Sequence, residues 1–110
     1  MVIAVRRDLG LGRGKLAAQA AHAAVTRALA AAPSTRRAWL ADGQPKVVVR
    51  VESEAELGEL CHAAERAGLG VTLIADAGRT QIAAGTATAC AIGPARREDM
   101  EPVTGHLALL

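Results

Sequence analysis

Residues 1–32 read MVIAVRRDLGLGRGKLAAQAAHAAVTRALAAA, and their order decides the fold. Met1 to Arg6 alternates around Val2, Ile3 and Val5, a strand signature. A glycine-rich turn follows at Asp8-Leu9-Gly10-Leu11-Gly12-Arg13-Gly14. Lys15 to Ala32 then runs without a Gly or Pro, rich in Ala with Leu and Gln, and predicts a long helix. Strand, glycine turn and long helix in that order form the opening of an α/β unit.

The same alternation continues outward. Pro33-Ser34 breaks the helix, and a short helix is expected from about Thr35 to Ala41, before Asp42-Gly43. Lys46 to Val51, KVVVRV, is a buried-type strand nearly continuous in β-branched residues. Ser53-Glu54-Ala55-Glu56 is a capping box, so a helix starts there and carries Leu57, Leu60, Cys61 and Ala64 on one face until Gly68. Val71 to Ala75 and Thr88 to Ile92 are the last two strands, the second ended by Gly93-Pro94, with a short tail beyond. The order β-α-α-β-α-β-β fits an α/β layered domain.

Composition bounds what such a domain can be. At 110 residues there is room for one domain, expected to span 1–110. Ala supplies a large share of the apolar residues, and there is one Trp with no Phe or Tyr, so the core must pack small side chains with close helix approach. Apolar residues at 51% and charged ones at 22% argue against a disordered chain. No apolar run approaches the roughly 20 residues of a bilayer span. The start of the chain lacks the apolar core and cleavage site of a leader, so a cytoplasmic protein without a membrane partner is expected. Cys61 and Cys90 are far apart in the sequence and outside any C-x-x-C pair, so they read as two buried thiols in a reducing compartment. Cys61-His62 are helix neighbours that face different ways; no structural metal is expected.

The net charge of +2 hides a polarised sequence. Residues 1–50 carry nine basic groups against Asp8 and Asp42, a net of +7; the remainder nets −5. A basic half suggests a polyanionic partner such as nucleic acid, unless the fold intermixes the halves and the field cancels.

Three segments could carry chemistry. The turn Gly10-x-Gly12-x-Gly14-Lys15 opens a helix, where free N–H groups and the positive helix end attract anions. It fails the spacing of a Walker loop and of a dinucleotide fingerprint, leaving either a generic anion-binding helix start or a purely structural turn. On the helix, Lys15, Gln19, His22 and Thr26 follow one another at intervals of four, three and four positions, so they share a narrow sector and form one polar stripe. The opposite face, Ala17, Ala20, Ala21 and Ala24, would lie on the sheet. The third segment is Asp76-Ala77-Gly78-Arg79-Thr80-Gln81, followed by Gly85-Thr86-Ala87-Thr88. Asp76 lies just past the carboxyl end of a strand, where open α/β sheets bind ligands. If the first and third strands are parallel, Lys15 and Asp76 converge at one edge. One carboxylate, two cations and several hydroxyls could then orient a water and stabilise an oxyanion. The alternative is a polar hairpin with Asp76 as turn former.

Gly12-x-Gly14-Lys15-x-x-Ala18-Gln19-x-x-His22-Ala23, Asp76-Ala77-Gly78-Arg79-Thr80-Gln81-Ile82 with Gly85-Thr86 and Thr88, Ala91-Ile92-Gly93-Pro94 and Val103-Thr104-Gly105-x-Leu107 together resemble the second class of peptidyl-tRNA hydrolase, the archaeal and eukaryotic type. The resemblance covers nearly the whole chain. It implies an α/β/α three-layer domain with a four-stranded mixed sheet between helices, usually a homodimer. It also implies metal-independent hydrolysis, without cofactor, of the ester joining a peptide to the 3′-terminal ribose of tRNA. By motif position it implies active-site roles for Lys15, Gln19, Asp76 and Thr80, with His22, Arg79, Thr86 and Thr88 nearby. Arg13, Gly14, Arg6 and Arg7 are the expected tRNA contacts. Ala84 and Ala108 depart from the Pro and Lys that members often carry there. The competing readings are a non-catalytic RNA- or protein-binding module and, weakened by the failed phosphate-loop spacings, a nucleotide-dependent enzyme.

Overall fold

The computed structural model describes residues 1–78 and 82–110. The elements are β1 (Val2–Arg6), α1 (Arg13–Ala30), α2 (Pro33–Ala41), β2 (Val47–Val51), α3 (Glu54–Arg66), β3 (Val71–Ala75), β4 (Ala87–Ile92) and α4 (Arg97–Thr104). The sheet order is β2-β1-β4-β3. β1 is parallel to β2, and β4 is antiparallel to both β1 and β3. The sheet is therefore mixed, and β1, β2 and β3 point the same way. Their carboxyl ends share one edge.

Helices cover both faces, which gives three layers. On one face Ile3, Val5, Ala89 and Ala91 pack with Ala23 of α1 and Trp39 of α2. On the other, Val2, Ala4, Val49, Val51, Cys90 and Ile92 pack with Leu57, Leu60 and Ala64 of α3 and with Met100 and Val103 of α4. Every residue of β1 is buried because both of its faces are covered.

Four sequence expectations are corrected. α1 begins at Arg13, two residues early, because Gly12 already has the extended backbone of a helix cap. Pro33 does not precede α2 but is its first residue, where its missing N–H costs nothing and its fixed φ suits a helix start. The capping box is half realised: Ser53 Oγ accepts from Glu56 N at 3.0 Å, while the Glu56 carboxylate accepts from Glu52 N at 2.7 Å. The tail contains a helix, α4, whose Glu98 and Asp99 favour its first turn.

α1 is also turned by roughly a quarter revolution from its expected setting. Gln19, Ala23 and Arg27 are its buried residues, with Leu16, Ala20, Ala24 and Ala28 half-buried, whereas Ala17 and Ala21 are exposed. The cause is that both long polar side chains find partners over β3. Arg27 Nη1 donates to Thr72 Oγ1 at 3.2 Å, and its guanidinium lies so close to Gly70 that a Cβ there would approach it to 3.0 Å. The two thiols sit where small hydrophobes were expected, Cys90 buried and Cys61 partly so, on β4 and α3.

Candidate active site

The convergence expected of parallel β1 and β3 is present. Lys15 reaches from the first turn of α1 to Asp76, one residue beyond β3, with Nζ to Oδ2 at 2.5 Å. Gln19 Nε2 donates to the same oxygen at 3.2 Å, one helical turn further along α1. The second oxygen, Oδ1, accepts from Gly78 N at 2.6 Å. Asp76 is 3% and Gln19 2% exposed, whereas 18% of the Lys15 side chain faces solvent. The ammonium is the part of the pair that a ligand can reach.

The backbone around Asp76 is fixed on both sides. Asp76 N donates to Thr86 O, and Gly85 N to Asp76 O, each at 2.8 Å. Gly78 turns with φ +79°, and a Cβ there would come within 2.7 Å of the Ala84 Cβ, so only glycine suits the position. Thr86 Oγ1 donates to Ala83 O within the loop, and Thr88 Oγ1 donates to Ile74 O, bracing the end of β3 that carries Asp76. Gln19 Oε1 is buried and has no hydrogen-bond partner among the described residues. A closed-off acceptor beside a buried ion pair is costly unless something donates to it during use.

The start of α1 breaks a local rule. No acidic residue occupies its first turn, and Gly12 provides no side-chain cap. Arg13 and Lys15 place two cations at the positive end of the helix dipole, where cations are unfavourable. Such a start is poorly satisfied alone and well satisfied by an anion.

Of the expected residues, Lys15, Gln19 and Asp76 are brought together, with Thr88 bonded to the adjoining end of β3 and Thr86 to the loop at Ala83. His22 is not: it is exposed on the outer side of α1. Arg79 and Thr80 lie outside the described residues. Arg6 is 7% exposed and fully engaged, with Nε and Nη2 on the Asp8 carboxylate at 3.0 and 2.7 Å and Nη1 on Ala87 O at 3.0 Å. The Arg6 hydrogen bond holds the Asp8 carboxyl below its ordinary range. Arg6 thus ties β1 to β4 and offers no free phosphate contact.

Arg7, Arg13 and Gly14 are exposed. Arg7 and Arg13 line an open cleft of about 910 Å³ together with Arg50, over an apolar floor that includes Leu11, Leu16 and Val48. Arg50 counts in the basic half but is not singled out as a site candidate by reading along the chain, because a single Arg within KVVVRV looks like strand decoration. The basic half is correspondingly thinner than its count: Arg27 and Arg6 are buried, and Arg36 Nη1 lies on the α1 carbonyls of Ala28 and Leu29 and on Ala31 O. Among the described residues no cluster of three or more His, Cys, Asp or Glu is placed to hold a metal. No described helix is long and apolar enough to cross a membrane.

A family model described as peptidyl-tRNA hydrolase PTH2 matches residues 1–110. A protein of Halobacterium salinarum named peptidyl-tRNA hydrolase is 53% identical over 108 residues, covering 98% of this chain and 96% of its own. A Methanocaldococcus jannaschii protein of the same name is 48% identical over 113 residues, covering all of this chain and 98% of its own. A Drosophila melanogaster protein named probable peptidyl-tRNA hydrolase 2 is 51% identical over 113 residues, covering all of this chain and 61% of its own length.

Proposed function

The chain belongs to the peptidyl-tRNA hydrolase PTH2 family, and from that premise we propose that it hydrolyses the ester between peptide and tRNA in peptidyl-tRNA, returning free tRNA to translation. The observation that carries the reading at the level of residues is the buried Lys15–Asp76 pair, seated where the α1 start meets the carboxyl end of β3. Asp76 is the carboxylate that orders the attacking water and takes its proton. Lys15, reinforced by the free N–H groups of the first turn, offsets the negative charge that develops on the carbonyl oxygen. Gln19 and Thr80 orient the ester, Gln19 through the carbonyl that has no partner among the described residues. Arg79, Thr86 and Thr88 act in support of them.

Cofactor and metal have no part in this scheme. α1 separates two surfaces at its start, with Leu16 and Ala20 flanking the basic cleft and Lys15 and Gln19 facing Asp76. Acceptor-stem phosphates held by Arg7, Arg13 and Arg50 would leave the 3′-terminal ester free to cross Gly14 to the ion pair. The cytoplasm follows from the substrate. A homodimer is part of the same reading, and the outer face of α1 supports it: Ala18, Ala21, His22, Val25 and Leu29 form a helical surface without Lys, Arg, Asp or Glu, with Val25 60% and Leu29 71% exposed. Leu29→Glu should halve the mass measured by light scattering if that face joins two copies.

The deciding assay offers N-acetyl-aminoacyl-tRNA and free aminoacyl-tRNA to the same preparation. Release of tRNA from the first, and far slower release from the second, is expected. A protein that binds tRNA and cleaves neither is a binding module on this fold.

A further inference from the structure

The two edges of the sheet are treated differently. At the β2 edge the last residues of the chain add a short antiparallel segment: Arg50 N donates to Ala108 O at 2.9 Å, Leu110 N to Val48 O at 3.1 Å, and Val49 bridges to Leu109. At the β3 edge no strand follows among the described residues. β3 reads Val-Thr-Leu-Ile-Ala, with no charge, no Pro and no Gly, and its Leu73 is 54% exposed. Edges of natural sheets are ordinarily blunted by Lys, Pro or a cover, because a bare one templates another strand.

Which groups this edge offers follows from parity. Gly70 O accepts from Gly93 N, and Asp76 exchanges both of its main-chain bonds with the Thr86–Gly85 side. Main-chain groups alternate sides along a strand, so those of 70, 72, 74 and 76 face β4. The N–H and C=O groups of Val71, Leu73 and Ala75 therefore point away from the sheet. Five residues at about 3.3 Å each give a track of roughly 16 Å. It runs directly into Asp76, beside small exposed residues at Ala75 and Ala77.

We propose that the free edge of β3 docks the peptide half of the substrate, which adds to the sheet as a parallel strand and delivers its esterified C-terminal carbonyl to Lys15 and Asp76. The inference rests on the hydrolase reading above and names how the peptide is held. Direction fixes the pairing as parallel. The reacting carbonyl is the C-terminal end of the peptide, and β3 also ends at Asp76, so a peptide extending back from the site runs alongside β3 in the same sense. Main-chain bonding suits a substrate whose side chains vary without limit, since only the backbone is common to all peptides.

The test compares tRNA carrying N-acetyl-alanine, N-acetyl-tetraalanine, and N-acetyl-tetraalanine methylated at its internal amides, each with the unaltered protein. The tetrapeptide should lower KM about tenfold at similar kcat, the effect of two or so net backbone hydrogen bonds, and N-methylation should abolish the gain. Leu73→Pro removes one outward N–H and no bond to β4, so it should erase the gain for the tetrapeptide and leave N-acetyl-alanyl-tRNA unchanged. Equal KM for both lengths overturns the proposal, as does a gain that survives N-methylation. If Leu73→Pro does not fold, the substrate series alone decides. If Leu73→Pro separates a dimer while the length gain persists, the edge belongs to a second copy and the proposal falls. Failure to cleave any of the three substrates removes the hydrolase reading, and this inference with it.

Discussion

α1 and α3 lie on opposite faces of one sheet and are built on opposite plans. α3 turns Leu57, Leu60 and Ala64 inward and starts on a Ser cap with Glu54 and Glu56 in its first turn. Its cap, its first-turn charges and its apolar face obey the local rules for a stable helix, with Gly58 the exception. α1 turns Gln19 and Arg27 inward around a single buried Ala23, starts uncapped, and loads its first turn with cations. Local disagreement of this kind persists where something other than stability is being served. The α3 layer holds the sheet together, and the α1 layer sets Lys15 and Gln19 against Asp76 at its edge.

The comparison can be broken from either side. Leu57 is 1% exposed in the α3 layer, and Leu57→Ala should cost about 3 kcal/mol through lost burial and a residual cavity, read as a lowered denaturation midpoint. Its kcat per folded molecule should match the parent; a fall in kcat would mean that the α3 layer shapes the site. Asp76→Asn keeps the shape of the side chain and an acceptor for Gly78 N. It should lower kcat by roughly 10²-fold with tRNA affinity nearly intact. Full turnover in that variant would return Asp76 to the rank of turn former.

Smaller effects sharpen the picture. Arg13→Ala should weaken tRNA binding and reduce the slope of log affinity against log salt by about one unit, with kcat at saturation unchanged. Arg6→Ala should leave that slope alone, since its guanidinium is spent on Asp8 and Ala87, and should instead lower stability. The Arg6–Asp8 pair also sets a pH dependence. Asp8 has its carboxyl lowered by Arg6, so the pair's contribution is complete above the ordinary carboxylate range and is lost as pH falls through the lowered value. Denaturation midpoints taken from pH 6 down to pH 2 in the parent and in Asp8→Asn should converge at the acid end. The smallest expected effect is none: exhaustive chelation should leave tRNA release unchanged, and loss restored by one divalent ion would overturn the metal-free scheme.

How much of this was written in the chain differs between the two faces. β3 was legible to the residue, because a β-branched run lies between Gly70 and the polar loop, and α3 was legible because one apolar face and one Ser cap agree. α4 was not, since only Met100 and Val103 mark its buried side and Pro102 interrupts the pattern. The rotation of α1 was hidden for a physical reason. A helix composed mostly of Ala has little amphipathic signal, so its setting is decided by distant partners, Asp76 for Gln19 and Thr72 for Arg27. Charge counting failed similarly at Arg6 and Arg27, whose burial depends on carbonyls, hydroxyls and carboxylates that no spacing rule reveals. Lys15 with Asp76 was legible through one topological condition, that β1 and β3 run parallel.

That condition is met because β4, the last strand to be synthesised, inserts between β1 and β3. The earlier segments can form β1 beside β2 on their own, yet β3 has no place in the sheet until residues 87–92 arrive to bridge it to residues 2–5. Gln19 leaves the ribosome 57 residues ahead of Asp76, and the Arg6–Ala87 clasp spans 81 residues of chain. Closing loops of that length is slow and comes late. During translation Lys15 and Gln19 therefore wait without Asp76, and the contact between them closes only after residues 87–92 have been made.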